Sequence, residues 1–367
     1  MTVVAGAGIV ADGLAVDSPA WVEHEDGVIT AVGAGPRVGA DSVDGAVLVP
    51  GFVDVQINGV GAVDFARADV DGWRAALRVQ ARHGVTACCP TLVSAPLASY
   101  VEPLTIAATL RNATREHETA VVGVHLEGPF LGGAPGAHVL EHLRPVDEPW
   151  LRGVLDTLPG VVRVVTLAPE ADEGLRATRM LHDAGVVVAI GHSTATYDEA
   201  RAAADAGARL VTHLFNGMGP LHHREPGVAG AALDDPRLTP SVIADLVHVH
   251  PAALRVAIAA KRSVAIVTDA VAVGGSLEWS ERDGAARLAD GTLAGAVAPM
   301  DVAVRNVVGL GVPLARAVEM AATIPCEVLG LADRGRLEPG RRADFVALDR
   351  ETLQVRAVWI EGRRVEL

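Results

Sequence analysis

Short apolar runs alternate with amphipathic stretches through the middle of the chain. The runs are GFVDVQING, GVTACCPTLVS, AVVGVHLEGPF, VVRVVTLAPE, GVVVAIGHS, ARLVTHLFN, PSVIADLVHV and SVAIVTDA, and each ends in polar residues. Between them lie DGWRAALRVQARHG, GLRATRMLHDAG and TYDEARAAADAG, with apolar positions at helical spacing and a closing Gly. Strands alternating with helices predict βαβ units and a parallel sheet. Eight such units are the number that closes a (β/α)8 barrel. A doubly wound open sheet is the alternative, but no GxGxxG follows the first run. Within that first run Asp54, Gln56 and Asn58 alternate with Val55 and Ile57. Alternation puts the three polar groups on one face of a strand, either a solvated edge or the floor of a site.

The ends of the chain read differently. Residues 1–49 and 335–367 are short strands and turns, as in WVEHEDGVITAVGAG and ADFVALDRETLQVRAVWIEGRRVEL. The expected class is α/β: a TIM-like (β/α)8 barrel over 50–334, with a small β-sandwich domain formed by the two terminal segments. An insertion, SLEWSERDGAARLADGTLAGA, follows the eighth run. Its Asp283-Gly284 and Asp290-Gly291 pairs predict hairpin turns.

Composition narrows the function. No apolar run approaches the roughly 20 residues that span a bilayer, and no basic segment precedes the apolar start, so a secretory leader is not expected. Lys and Arg total 31 against 45 Asp and Glu, a net charge of −14 that argues against general nucleic-acid binding. An anionic substrate would therefore need a local positive cluster. Cys88, Cys89 and Cys326 match no zinc spacing and make a poor disulfide framework, which points to core positions in a reducing cytoplasm. Lys261 is the only lysine and sits in a helical stretch, so a metal-bridging lysine at a strand end is excluded.

In such a barrel the chemistry collects at the C-terminal ends of the strands. Those ends hold Gln56 and Asn58, His125 and Glu127, His192, His213 and Asn216, His248 and His250, and Asp269. A lone His after a strand is usually a hydrogen-bonded core or loop residue; His83, His117, His142 and His182 are read that way, and His24 falls in the terminal sheet. Barrel closure would bring Glu127, His192 and His213 together as three ligands with an open position, the pattern of hydrolytic zinc. Asp269 would face them as general base. The loop THLFNGMGPLHHREPG offers His222, His223, Arg224, Asn216 and two glycines, either an anion site or a solvated loop.

The motifs PGFVDVQING, HLEGPF, IGHSTAT, THLFNGMGPLHHREPG, IADLVHVHP and VTDA, in this order, resemble those of the N-acetylglucosamine-6-phosphate deacetylases of the amidohydrolase superfamily. The resemblance runs to the C-terminal LADRGRLEPGRRADFVALD. It implies Glu127, His192 and His213 as metal ligands and Asp269 as catalytic acid/base. It implies His138 on the acetyl carbonyl, and Asn216 and Gly217 on the phosphate side. Arg224 and His248 are implied to reach the active site of a neighbouring subunit, hence a homodimer. It implies one divalent metal per subunit, Zn2+ first, with Fe2+, Mn2+ and Co2+ also accepting this donor set. Much of the superfamily has His-x-His where Gln56 and Asn58 stand, and neutral amides are poor zinc ligands, so a one-metal site is expected. Departures from the family pattern are Gly217 in place of Ala, Leu246 in place of Gly, and a loop from Leu131 to Gly136 without lysines. The activity implied is release of acetate from N-acetylglucosamine 6-phosphate. N-acetylgalactosamine 6-phosphate is the alternative substrate, and a catalytically silent scaffold the reading from another class.

Overall fold

The computed structural model describes residues 1–11, 14–16, 18–111, 113, 117–273 and 279–367. Eight parallel strand positions follow one another in chain order: β1 (Phe52–Ile57), β2 (Val85–Val93), β3 in two pieces (Ala120–Val121 and Val124–Glu127), β4 (Val162–Leu167), β5 (Val187–Ile190), β6 (Ala208–Val211), β7 (Thr239–Ile243) and β8 (Ala265–Val267). The ring is closed by backbone bonds just beyond the strands. Asp269 N–H donates to Gln56 O at 2.9 Å, and Asn58 N–H to Ala270 O at 2.7 Å.

The eight helices that follow the strands are α1 (Val70–Arg82), α2 (Val101–Arg111), α3 (Glu148–Thr157), α4 (Arg176–Asp183), α5 (Tyr197–Asp205), α6 (Gly227–Asp234), α7 (Pro251–Ala260) and α8 (Met300–Gly309). Local chemistry sets their ends. Asp69 caps α1 through Gly72 N–H, and Thr196 with Glu199 forms a capping box on α5. Gly84, after α1, takes φ +80°, which a β-carbon disfavours. α1 buries Trp73, Ala76, Leu77, Gln80 and Ala81, positions at helical spacing along one face. The Trp73 indole N–H donates to Phe65 O at 3.0 Å, so its polar atom is satisfied within the core.

Side chains also fill the barrel interior. Val53, Val55, Ala87, Cys89, Val164, Ala189, Leu210, Ile243 and Val267 form one buried cluster. Cys88 belongs instead to the cluster shared with the helices. All three cysteines are free and buried, as core residues should be.

The terminal segments build one mixed sheet. Its centre is Asp41–Pro50, antiparallel to Phe345–Asp349 on one side and parallel to Thr2–Ala11 on the other. Val4, Val22, Ile29, Leu48, Phe345 and Trp359 pack there into a core of their own. The insertion after β8 is a three-stranded meander of Trp279–Arg282, Ala285–Leu288 and Leu293–Ala296. Its first residues, 276–278, lie outside the described residues. Asp283 (φ +53°) and Gly284 (φ +79°) make the predicted tight turn.

β1 departs from simple alternation. Its register against β2 shifts between Phe52 and Val53 and again between Asp54 and Ile57. Asp54 Oδ1 accepts from Gln56 N–H at 3.2 Å, a local bond of the kind that bends a strand and re-aims its side chains. Asp54 therefore parts company with Gln56 and Asn58: its Oδ2 takes the Thr268 hydroxyl at 2.5 Å, while the two amides reach onward to Asp269.

Candidate active site

Four strand ends converge above the apolar plug. Glu127 is the last residue of β3, His192 and His213 lie two residues beyond β5 and β6, and Asp269 two beyond β8. Three of these four turn in the left-handed region: His192 at φ +49°, His213 at +32° and Asp269 at +48°. Non-glycine residues there cost on the order of 1–3 kcal/mol each, and such strain concentrates at functional sites.

Glu127 Oε1 lies 3.1 Å from His192 Nε2 and 3.0 Å from His213 Nε2, and the two nitrogens are 3.1 Å apart. All three side chains are buried. His192 Nδ1 faces the Ala134 carbonyl at 3.1 Å, which accepts only, so its proton lies there and Nε2 presents a lone pair. Two imidazole nitrogens and a carboxylate oxygen at this spacing repel unless a proton or a cation sits among them. Burial alone would raise the pKa of Glu127, but the neighbouring His192 and His213 imidazoles outweigh it and hold the carboxyl well below its ordinary value. Burial alone would lower His213, but Glu127 outweighs it and raises it. A divalent cation could take the place of that shared proton, and two nitrogens with one oxygen suit zinc and its neighbours.

Asp269 stands beside the cluster. Its Oδ1 accepts from Asn58 Nδ2 at 2.8 Å and from Gln56 Nε2 at 3.1 Å. Gln56 Nε2 also donates to Glu127 Oε1 at 2.9 Å, so one amide bridges both carboxylates. Burial first, and Glu127 second, push Asp269 up to about 7.

His138 comes from the loop after β3. Gly132 N–H donates to His192 O at 2.8 Å, and Glu170 beyond β4 accepts from Gly133 N–H, Thr194 N–H and the Ser193 hydroxyl. The anchored loop brings His138 Nε2 to 3.3 Å from His192 Nε2. Ser94 N–H points at His138 Nδ1, which accepts, so a neutral ring carries its proton on Nε2, toward the cluster. Burial, then His192, bring His138 down to about 3, which keeps it neutral.

The remaining candidates sit around this centre. Asn216 bonds back to the His213 carbonyl through its N–H (2.9 Å) and its Nδ2 (3.2 Å). Gly217 lies against His192: a β-carbon there would be 2.7 Å from its Nδ1. The His248 side chain, expected at a neighbouring subunit, is 4% exposed within its own chain. Its Nδ1 is 2.6 Å from Asp245 Oδ2. Arg224 is exposed and touches His223 at 2.9 Å, and no contact joins it to the cluster.

Sequence reasoning passed over Glu170 and Ser94. Glu170 stands in VVTLAPE, a run to which it assigned no chemistry, and nothing local marks it as a clamp on two loops. Ser94 acts on His138 through its backbone, which carries no sequence signal.

With this geometry in hand, comparison with known proteins is direct. The model of the amidohydrolase family matches residues 47–365. The N-acetylglucosamine-6-phosphate deacetylase of Bos taurus is 41% identical over 346 residues, covering 88% of this chain and 84% of that protein. The N-acetylgalactosamine-6-phosphate deacetylase of Escherichia coli is 38% identical over 356 residues, 92% of each. The crystal structure of N-acetyl-D-glucosamine-6-phosphate deacetylase from Mycobacterium smegmatis superposes with a TM-score of 0.92 at 36% identity, covering 100% of both chains.

Proposed function

The chain belongs to the amidohydrolase family, and from that premise we propose that it hydrolyses the acetamide of N-acetylglucosamine 6-phosphate to acetate and glucosamine 6-phosphate. The observation that carries this reading is Asp269, held by two amides beside a cluster of three metal-ligand donors. Glu127, His192 and His213 hold one divalent metal, Zn2+ by the donor set. When bound, that ion supplies an acidified water and polarises the acetamide carbonyl. Asp269 takes the proton as water attacks and passes it to the departing amine, so atoms and charge balance as acetate and amine. Both amide contacts fall on Oδ1, which leaves Oδ2 to carry the proton. His138 Nε2–H donates to the carbonyl oxygen as negative charge develops there. Gln56 and Asn58 orient the base and ligate nothing.

Asn216 and Gly217 receive the phosphate, with Arg224 contributed across a homodimer. His248, its ring buried against Asp245, is assigned with Arg224 to the site of the neighbouring subunit. Free, buried cysteines agree with a cytoplasmic protein. Among the described residues no helix is long and apolar enough to cross a membrane.

The Escherichia coli relative favours a second substrate, N-acetylgalactosamine 6-phosphate, which differs only at C4. Acetate release from the two sugar phosphates decides between them, and release from neither would sink the assignment. Asp269→Asn should keep its metal and lose roughly 100- to 10,000-fold in kcat. Near wild-type turnover in that variant would remove Asp269 as the base.

A further inference from the structure

Between the apolar plug and the Glu127–His192–His213 cluster lies a polar layer that hydrolysis itself does not use. Val164, Ala189 and Leu210 belong to the plug. Two residues further along the same strands, or just past their ends, stand Thr166, Gly191 and Thr212, which therefore share the inward face. Thr166 Oγ1 and Thr212 Oγ1 are 2.7 Å apart, although β5 runs between β4 and β6. Their bond crosses that strand line at Gly191. A β-carbon there would lie 2.7 Å from Thr166 Cγ2 and 2.9 Å from Thr212 Cβ. Gly191 is not among the glycines at positive φ, so the position asks for empty space and not for an unusual backbone.

The chain of bonds continues. Thr166 Oγ1 is 2.7 Å from His125 Nε2, and His125 Nδ1 is 2.9 Å from Val55 O. All three side chains are fully buried. The carbonyl only accepts, so Nδ1 carries the proton of the neutral ring and Nε2 accepts from the Thr166 hydroxyl. Thr166 in turn accepts from Thr212. All but Thr166 stand within two residues of a site residue. Thr212 precedes His213, Gly191 precedes His192, His125 is two before Glu127, and Val55 precedes Gln56.

We propose that this belt, Thr212–Thr166–His125–Val55 passing over Gly191, fixes the spacing of the metal-ligand-bearing strand ends, with Thr166 and His125 as positioning residues. The inference rests on the ligand set of the proposed function. It also gives a role to β4, which carries no ligand of its own: it is the bridge by which β6 is tied to β3 and β1.

The test is Zn2+ affinity of the full chain, measured by competition with a chromophoric chelator after removal of metal. No substrate is needed. Thr166→Val keeps the side-chain shape and removes both hydroxyl bonds, whereas Thr166→Ser keeps the hydroxyl. Loss of a partner bonded directly to a metal ligand typically weakens binding about 10- to 100-fold; Thr166 acts one step further out, so a loss of about tenfold is expected for Thr166→Val, with Thr166→Ser staying close to wild type. Circular dichroism and Tm in EDTA establish that both variants are folded. Should Thr166→Val not fold, Thr212→Val against Thr212→Ser makes the same comparison at the end of the belt. Wild-type Zn2+ affinity in the Val variant overturns the proposal, and so does equal weakening by Val and Ser, which would indicate packing. Zn2+ uptake by the wild type with no effect of the Val variant leaves the proposed function standing. No uptake by the wild type removes the ligand set, and the belt's role with it.

Discussion

Gly217 shows how much one hydrogen atom in place of a methyl group decides. It sits at φ +56°, and a β-carbon would press on His192 Nδ1 at 2.7 Å and on Ala134 O at 3.3 Å. Those two atoms form the bond that orients the His192 ring. The similar family usually has Ala here, yet in this chain Ala would meet a buried, already bonded imidazole. Gly217→Ala should therefore weaken metal binding by about tenfold, the effect of a disturbed outer partner; chelator competition reads it, and unchanged affinity would show that the ring has room to move. Asp54 carries a second residue-scale consequence. Burial, opposed by its bonds to Thr268 and Gln56, raises its carboxyl from 3.8 to about 7. The folded state thus holds a proton that the unfolded chain has released. The contribution of this group to stability is full below about pH 3.8 and is lost as pH rises through about 7, with a slope of at most about 1.4 kcal/mol per pH unit. Asp54→Asn removes that slope. Unfolding free energies from urea titrations at several pH values between 4 and 7 should fall less steeply in the variant, and parallel curves would contradict the assignment.

The elements explain why the site residues are where they are. Strand ends carry the candidate site residues, and His192, His213 and Asp269 among them turn in the left-handed region. Leu246 after β7 takes the same conformation, φ +67°, where the similar family usually has Gly. Leucine adopts it here while Asp245 Oδ1 holds the next two N–H groups, of Val247 and His248, each at 2.9 Å. The loop after β3 depends on an element that looks silent in the sequence. Glu170, beyond β4, collects the Gly133 and Thr194 N–H groups and the Ser193 hydroxyl, so the loop carrying His138 is tied to the end of β5. Glu170→Ala should lower kcat/KM by about 10- to 100-fold through misplacement of His138. Metal content should hold, and Tm should change little, because Glu170 is exposed. Full activity would mean the loop is held without the clamp; loss of metal would mean the clamp serves His192 more than His138. The eight strand-and-helix units were legible because their periods are local. The break in β3 and the bend at Asp54 were not, since both come from bonds that a simple alternation does not encode.

At the scale of the whole molecule the two chain ends meet in one sheet, and that sheet is locked by charge. Asp344 Oδ2 accepts from Arg342 Nε at 3.0 Å, Asp344 Oδ1 accepts from Glu361 N–H at 2.7 Å, and Arg342 pairs with Glu361 at 2.7 Å. The barrel places its donors at one mouth, while exposed Arg224, in contact with His223, has no anionic partner among the described residues. A homodimer would give it one. Sedimentation equilibrium should find twice the chain mass of 37.9 kDa, and Arg224→Ala should raise KM about tenfold or more with kcat nearly unchanged, since a phosphate contact far from the scissile bond contributes mainly uniform binding. A monomer with unaltered KM in the variant would leave the arginine without that role.

By itself the sequence determined the eightfold alternation, the polar residues at each strand end, the absence of a lysine for metal bridging, and the split of the small sheet between the two termini. Each of these follows from spacing within a few residues or from composition. Only the tertiary structure decided that Gln56 and Asn58 share one oxygen of Asp269 across more than 200 residues. It also decided that Glu127 stands between two imidazoles, and that Gly191 is empty so that two threonines can touch. These are distances between atoms remote in the chain. They exist only once the ring of strands has closed.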